Sequence, residues 1–462
     1  MTDIASPRTS LIPRRMPGSI KLPLAITILV AGFLVALMSF FVSRPGADQF
    51  DPLDEELTLA FGPANFDAAL AKIDQRVDLN KERVARDGAQ WSYQEGLALA
   101  TLARAQLTAE FDDYLLAAQS IDRADGLSRD EAGPGLAIGV VNLSLHRNRK
   151  AAKGVEMATA SVITPDIADL SELEAMRGDL ALYQGDYAAA WKHFSDAAAQ
   201  QQEAVTLFRL ANWHKYRGEF EQAIEHYTKG AKIRKSRTPQ RLSVYLLQIG
   251  ALELQRGNWD KARRYFERAD AVFPDYWLAQ AHVAQMDAAQ GNLAGAERSY
   301  LAIIERTSNP DVMAALIALY RYQGRDLEAA TWESRAGAIW DKRVVSLPET
   351  YYDHAFDHAM SVGDTERALE LAQQNYSARP YGDSAIGLAR ALVAAGEPEL
   401  AANFLETQEK AGWRSVELFS AMASAYEASG RTPKAGEATA KALAINPKAF
   451  NKGASLLAFG NH

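Results

Sequence analysis

Two patterns of apolar and polar positions divide the chain. The first is a single uninterrupted run. Leu22 to Ser43 holds 22 residues without a charge, opened by Lys21 and closed by Arg44. About 20 apolar residues cross the hydrocarbon core of a bilayer as a helix, so the run predicts a transmembrane segment. A secretory leader has a shorter apolar stretch, roughly 7–15 residues, followed by a small-x-small site. Phe41-Val42-Ser43-Arg44-Pro45 offers no such site. The run therefore reads as a retained anchor.

The second pattern fills the rest of the chain and has a helical period. Glycines at 185, 218, 257, 291, 324, 363, 396 and 430 are separated by 33, 39, 34, 33, 39, 33 and 34 residues. Five residues after each stands an alanine: 190, 223, 262, 296, 329, 368, 401 and 435. Seven residues before, six of the eight positions are small: Gly178, Ala211, Gly250, Ala284, Ala389 and Ala423. A glycine that can adopt φ > 0 closes one helix, and small residues then let the next helix approach closely. Tyr187, Phe220, Trp259 and Leu293 follow two residues after their glycines and supply apolar mass at the start of the second helix. Pro274, Pro380 and Pro447 remove a backbone donor where second helices stop, whereas Pro398 and Pro433 suit a first turn. No alternating strand pattern competes. The expected fold is all-α.

This signature resembles the tetratricopeptide repeat family, whose period is 34 residues. The likeness runs from about Ser171 to Pro447 and is strongest in Leu207–Tyr227 and Leu246–Pro274, for instance Gly257-Asn258-Trp259-Asp260-Lys261-Ala262. It implies a right-handed solenoid of helix–turn–helix units preceded by the transmembrane helix. The expected organisation is a tail (1–21), the membrane helix (22–43), a linker (44–61), worn helical repeats (62–170), eight repeats (171–447) and a capping segment (448–462). Among the worn repeats, one turns near Arg147-Asn148 with Ala152 in the small position. Asn65–Ala69 and Glu110–Ile121 read as second helices. The two 39-residue intervals predict insertions between repeats, after Gly230 and after Gly337.

Charge adds topology and narrows chemistry. Arg8, Arg14, Arg15 and Lys21 precede the apolar run against Asp3; Arg44 follows it, then Asp48, Asp51, Asp54, Glu55 and Glu56. The positive-inside rule places the tail in the cytoplasm and the repeats outside it, which in a Gram-negative cell is the periplasm. The net charge of -8 argues against nucleic acid as a partner. With no cysteine, disulfides, thiolate metal sites and cysteine nucleophiles are excluded. The first insertion carries Lys229, Lys232, Arg234, Lys235, Arg237 and Arg241, a candidate site for an anionic partner or simply a solvated loop.

Asp353-His354-Ala355-Phe356-Asp357-His358 is the most enzyme-like stretch, since histidines at i and i+4 share one helix face. No glutamate stands between them as in a His-Glu-x-x-His site, and no third ligand is evident. No cofactor, bound metal or catalytic set is expected. By resemblance, the first helices of the repeats line a concave groove for protein partners. Its candidate lining is Tyr183, Phe208, Asn212, Lys215, Tyr216, Leu247, Gln285, Arg321, Tyr322, Asp353, Asp357 and Arg390. Tyr216 and Tyr322, each two residues before its glycine, are expected to be equivalent aromatic anchors. The carboxylate clamp of some family members is not reproduced: Asn212 is present, but Phe208 and Val244 stand where lysine is expected. The expected function is a membrane-anchored adaptor for protein partners in envelope assembly, serving secretion, cytochrome maturation or polysaccharide export. Two alternatives stand beside it: a cytoplasm-facing regulator of a membrane complex, and a metal-dependent enzyme at His354 and His358.

Overall fold

A turn glycine needs the left-handed region of φ, and all eight repeat glycines occupy it, with φ between 69° at Gly430 and 97° at Gly291. The amide of the residue after each glycine then reaches back to a carbonyl five residues earlier, as from Asp186 to Ala181 and from Asn258 to Glu253. This 6→1 bond satisfies a carbonyl that the helix end leaves without a partner. Asp186, Asn292 and Asp364 accept from the first turn of the second helix, capping its start.

The computed structural model describes residues 61–129, 132–233 and 237–457. The apolar run at 22–43 lies outside them, and no described helix is long and apolar enough to cross a membrane. Among the described residues all regular structure is helical: α1 (Phe66–Arg86), α2 (Trp91–Thr108), α3 (Phe111–Leu127), α4 (Gly135–Ser144), α5 (Asn148–Thr159), α6 (Ile167–Tyr183), α7 (Tyr187–Gln200), α8 (Ala204–Tyr216), α9 (Phe220–Lys232), α10 (Pro239–Gln255), α11 (Trp259–Val272), α12 (Trp277–Ala289), α13 (Leu293–Thr307), α14 (Pro310–Tyr322), α15 (Asp326–Ser346), α16 (Pro348–Val362), α17 (Thr365–Ala378), α18 (Gly382–Ala394), α19 (Pro398–Lys410), α20 (Val416–Ala428) and α21 (Thr432–Ile445), then a 3-10 turn, Lys452–Leu456.

From α2 onward the helices pair as antiparallel hairpins. Two hairpins precede the glycine series and turn at Ala109 and His146, both at positive φ without being glycine. The alanines five residues past the glycines are all buried, from fully at Ala190 and Ala223 to 6% exposed at Ala435. In the hairpin that turns at His146, Ala151 is the buried small residue and Ala152 is only half-buried, one position from expectation. A Cβ at Gly178 would lie 2.5 Å from the ring of Phe194, and one at Gly250 the same distance from Phe266. The second insertion is not a loop. It extends α15 to Ser346, carrying Gly337 inside the helix and burying Trp340, Arg343 and Val344. That burial offsets the roughly 1 kcal/mol that an interior glycine costs a helix.

The hairpins coil until the second turn of the superhelix rests on the first. Carbonyls at the ends of early first helices accept from residues five or six hairpins later. Trp277 Nε1 donates to Leu107 O at 3.1 Å, and Thr350 Oγ1 to Leu145 O at 2.7 Å. The Arg414 amide donates to Tyr216 O at 2.9 Å, and Asn446 Nδ2 to Leu254 O at 3.4 Å. Tyr187 adds a 2.6 Å bond from its hydroxyl to Gln408. Helix ends that a simple solenoid leaves to water are thus capped by a distant part of the same chain.

Candidate functional site

Inside this coil the first helices border four adjoining cavities. The one at α16, α18 and α20 has a volume of about 680 Å³ and is lined by Asp353, Asp357, Asp383, Arg390 and Glu417 among others. It shares His354, Asp357, Val416 and Glu417 with a cavity of about 380 Å³ that adds Asp311, Arg321 and His358. His354 and Asp311 also border a third, of about 270 Å³, with Tyr276, Asn309 and Arg343. Tyr276, Leu278 and Gln106 connect that one to the largest, about 1020 Å³, where Lys72, Arg76 and Arg241 stand on the wall.

The wall is charged because the chain places acids at one repeated position. Asp311, Asp383 and Glu417 each stand 13 residues before their repeat glycine, in the first turn of a first helix. A carboxylate there is favoured by the helix dipole, whatever else it does. Crowding by protein pushes the Asp383 carboxyl up to about 6, against the pull of Lys215. Burial lowers the Lys215 ammonium, which Asp383 and Glu417 oppose. The largest influence on Asp353 is burial, which raises it, yet His354 and Arg379 win and hold it well below the usual carboxylate range. Burial likewise works against charge on His354, but Asp311 and Asp353 lift it to about 9.

Of the residues read from sequence, Asp353, Asp357 and Arg390 come together on the first cavity, with Arg390 2.9 Å from Asp357. Arg321 borders the second and pairs with Glu333 at 2.6 Å. Leu247 is buried but borders the largest. Lys215 is half-buried, with Asp383 and Glu417 as its opposing charges. Others serve packing. Tyr183 meets Tyr381 edge-on at 5.2 Å, Phe208 meets Tyr227 at 5.1 Å, and Asn212 accepts from the Tyr227 hydroxyl. Gln285 is fully buried.

Tyr216 and Tyr322 are not equivalent. The Tyr216 ring stacks on Trp413 in the contact between superhelical turns, at 4.4 Å, whereas Tyr322 lies beneath the ammonium of Lys452 at 4.7 Å. Their matching offsets place them alike within a hairpin, but only the earlier hairpin has a second turn packed over it.

His354 and His358 do not form a pair. His354 Nδ1 is 3.0 Å from Asp311 and its ring stacks on Trp340 at 5.2 Å, while burial lowers His358. Among the described residues no three His, Asp or Glu side chains are grouped to hold a metal ion. In the basic insertion, Lys229 pairs with Glu225 at 2.6 Å and Arg241 borders the largest cavity; Arg234 and Lys235 lie outside the described residues. The acids at Asp311, Asp383 and Glu417 escaped the sequence reading, which looked near the ends of first helices. Their signal was the shared offset from the glycine.

Residues 202–275 match the family model of the tetratricopeptide repeat. Comparison with curated protein sequences finds no match. Among solved structures, a Rap protein complexed with competence and sporulation factor overlaps 69% of this chain and 98% of its own, at 11% identity and a TM-score of 0.41. A tetratricopeptide repeat protein from Parabacteroides merdae ATCC 43184 overlaps 55% and 98%, at 15% identity and 0.32. The Cut9-Hcn1 hetero-tetramer of APC/C overlaps 86% and 93%, at 14% identity and 0.31. With TM-scores below 0.5 these likenesses carry no weight beside the sequence match. With that match spanning α8 to α11, and the same turn glycine and buried alanine repeated on either side, the chain carries tetratricopeptide repeats.

Proposed function

We propose that this protein is a membrane-anchored scaffold whose repeats hold a protein partner on their inner face. The observation that carries the reading is the run of adjoining cavities bordered by first helices, with apolar walls such as Phe356 and Met360 beside charges of both signs. Apolar anchors ringed by polar groups are the usual make-up of a protein contact surface. The charge-free run at 22–43 is read as the anchor, and its flanking charges favour repeats on the periplasmic side. A role in envelope assembly follows from that placement, the adaptor bringing partners together at the inner membrane.

Two measurements test this. A reporter active only outside the cytoplasm, fused after His462, should be active; activity of a cytoplasm-only reporter there would remove the periplasmic placement. Full-length protein purified from native membranes should bring partners with it. Ser420→Trp and Ala318→Trp, which put an indole into the first and second cavities, should shed them while helical content stays unchanged. Partners retained by both variants would place binding elsewhere.

A further inference from the structure

Helix α1 carries a row of positive charge that the fold does not use. Lys72, Arg76, Leu79, Arg83 and Arg86 follow one another at alternating steps of four and three residues. At 3.6 residues per turn, that spacing keeps them within an arc of about 80° along roughly 21 Å of helix. The acids of α1, Asp67, Asp74, Asp78 and Glu82, fall outside the arc. A separate stripe, Ala69, Ile73, Val77 and Asn80, packs α1 on α2. Lys72, Arg76 and Arg86 are exposed, Arg83 is half-buried, and Leu79 keeps 46% of its surface in solvent. None of the four bases has an ion pair among the described residues. Asp74 is taken by Arg104 at 2.9 Å, and the one acid of α2, Glu95, makes no pair with the row.

Two ordinary explanations fall short. The helix dipole accounts for Arg83 and Arg86 in the last turn, but Lys72 and Arg76 stand too far from that end to feel it. A solvated face usually mixes signs, and like charges at i and i+4, as in Lys72 and Arg76, destabilise a helix. The row therefore points to an anionic partner. Its place in the chain says which. α1 is the first described helix after the charge-free run at 22–43, and only residues 44–65 separate the two. Fully extended, that stretch reaches about 75 Å at most, so an anchored chain holds α1 at high local concentration over the headgroups. Basic side chains around an exposed leucine suit a helix face that rests on an anionic bilayer.

With the membrane anchor of the proposed function as its premise, we propose that α1 lies on the bilayer that holds the chain. Lys72, Arg76, Arg83 and Arg86 meet anionic lipid headgroups, and Leu79 reaches between them. The contact sets the repeats down on the membrane surface instead of leaving them on a free tether.

The test uses the full-length protein in nanodiscs and exploits its lack of cysteine. Gln75→Cys places a fluorophore next to the row. Gly436→Cys places one on α21, where an added side chain meets open space. The lipid carries a nitroxide on its headgroup as quencher. The dye at position 75 should be quenched several-fold more in discs containing phosphatidylglycerol than in phosphatidylcholine alone, and the excess should vanish at high salt. The dye at position 436 should not distinguish the discs. Replacing Lys72, Arg76, Arg83 and Arg86 by Gln should abolish the excess with helicity and melting unchanged. Arg76→Lys, Arg83→Lys and Arg86→Lys together should keep it, since charge and not guanidinium geometry is what the surface reads. Equal quenching in both discs would overturn the proposal, as would an excess that survives the Gln substitutions. Quenching that appears only after Asp51→Asn, Asp54→Asn, Glu55→Gln and Glu56→Gln would assign the row to the acidic linker and overturn it too. A chain that enters neither disc would remove the anchor. Flotation with phosphatidylglycerol vesicles would then decide the row alone, binding sustaining it and no binding overturning it.

Discussion

The indole of Trp413 lies on the phenol of Tyr216, with ring centroids 4.4 Å apart and planes 23° from parallel. Tyr216 ends α8 and Trp413 precedes α20, so the stack joins two superhelical turns. Beside it the Arg414 amide caps the Tyr216 carbonyl. Tyr216→Ala should therefore lower the melting temperature. In a double-mutant cycle with Trp413→Ala, the pair should show a coupling of about 0.5–1.5 kcal/mol. Additive losses would mean that the rings do not meet.

How much of this was legible in the sequence depended on how local the cause was. The turn glycines and buried alanines could be read because each answers a steric demand within its own hairpin. A turn near Arg147-Asn148 could also be read, but the positive φ at His146 and at Ala109 could not, since residues with side chains rarely take it. An insertion between repeats was expected after Gly337, yet α15 runs on through it because Trp340 and Arg343 find partners in Phe111, Tyr351 and His354. The contact between turns left no periodic trace. It joins backbone carbonyls to donors far along the chain, and a carbonyl is present whatever the side chain. The acidic wall was legible through its common offset, but a first-turn acid has an ordinary explanation in helix capping.

The turn glycines separate two costs. Gly185 and Gly324 have φ of 75° and 73°, but a Cβ at Gly185 would lie 2.6 Å from the Pro380 carbonyl, while one at Gly324 meets open space. Gly324→Ala should cost the left-handed penalty alone, about 1–2 kcal/mol in denaturant titration. Gly185→Ala should cost clearly more, because backbone rather than a flexible side chain must move. Equal losses would mean that the Gly185 turn does not touch the Pro380 turn.

His354 gives the fold a pH dependence of defined sign. Its folded value, about 9, lies above the ordinary histidine range, so its charged form is favoured in the folded state. The stability this contributes is fully present below about pH 6.5 and is lost as pH rises through about 9. The melting temperature of the wild-type protein should exceed that of His354→Gln by the most near pH 6, and the difference should shrink steadily towards pH 9. A difference that grows with pH would contradict the ion pair with Asp311.

In a simple solenoid each repeat feels only its neighbours, so damage spreads locally. Here Trp277 at the start of α12 donates to Leu107 at the end of α2, and Thr350 in α16 donates to Leu145 after α4. Trp277→Phe and Thr350→Val keep most of the packing and remove one donor each, leaving a carbonyl uncapped. Each should cost about 1–3 kcal/mol, the upper end where the carbonyl stays dry. The location of the loss is the sharper readout. Hydrogen exchange in Thr350→Val should quicken in α4 and α5 as well as in α16, although those segments are far apart in sequence. The loosening should leave α10 and α11 slow, because their own contact, through Asn446, is untouched. Exchange quickened only around α16 would mean that the turns of the superhelix do not support one another.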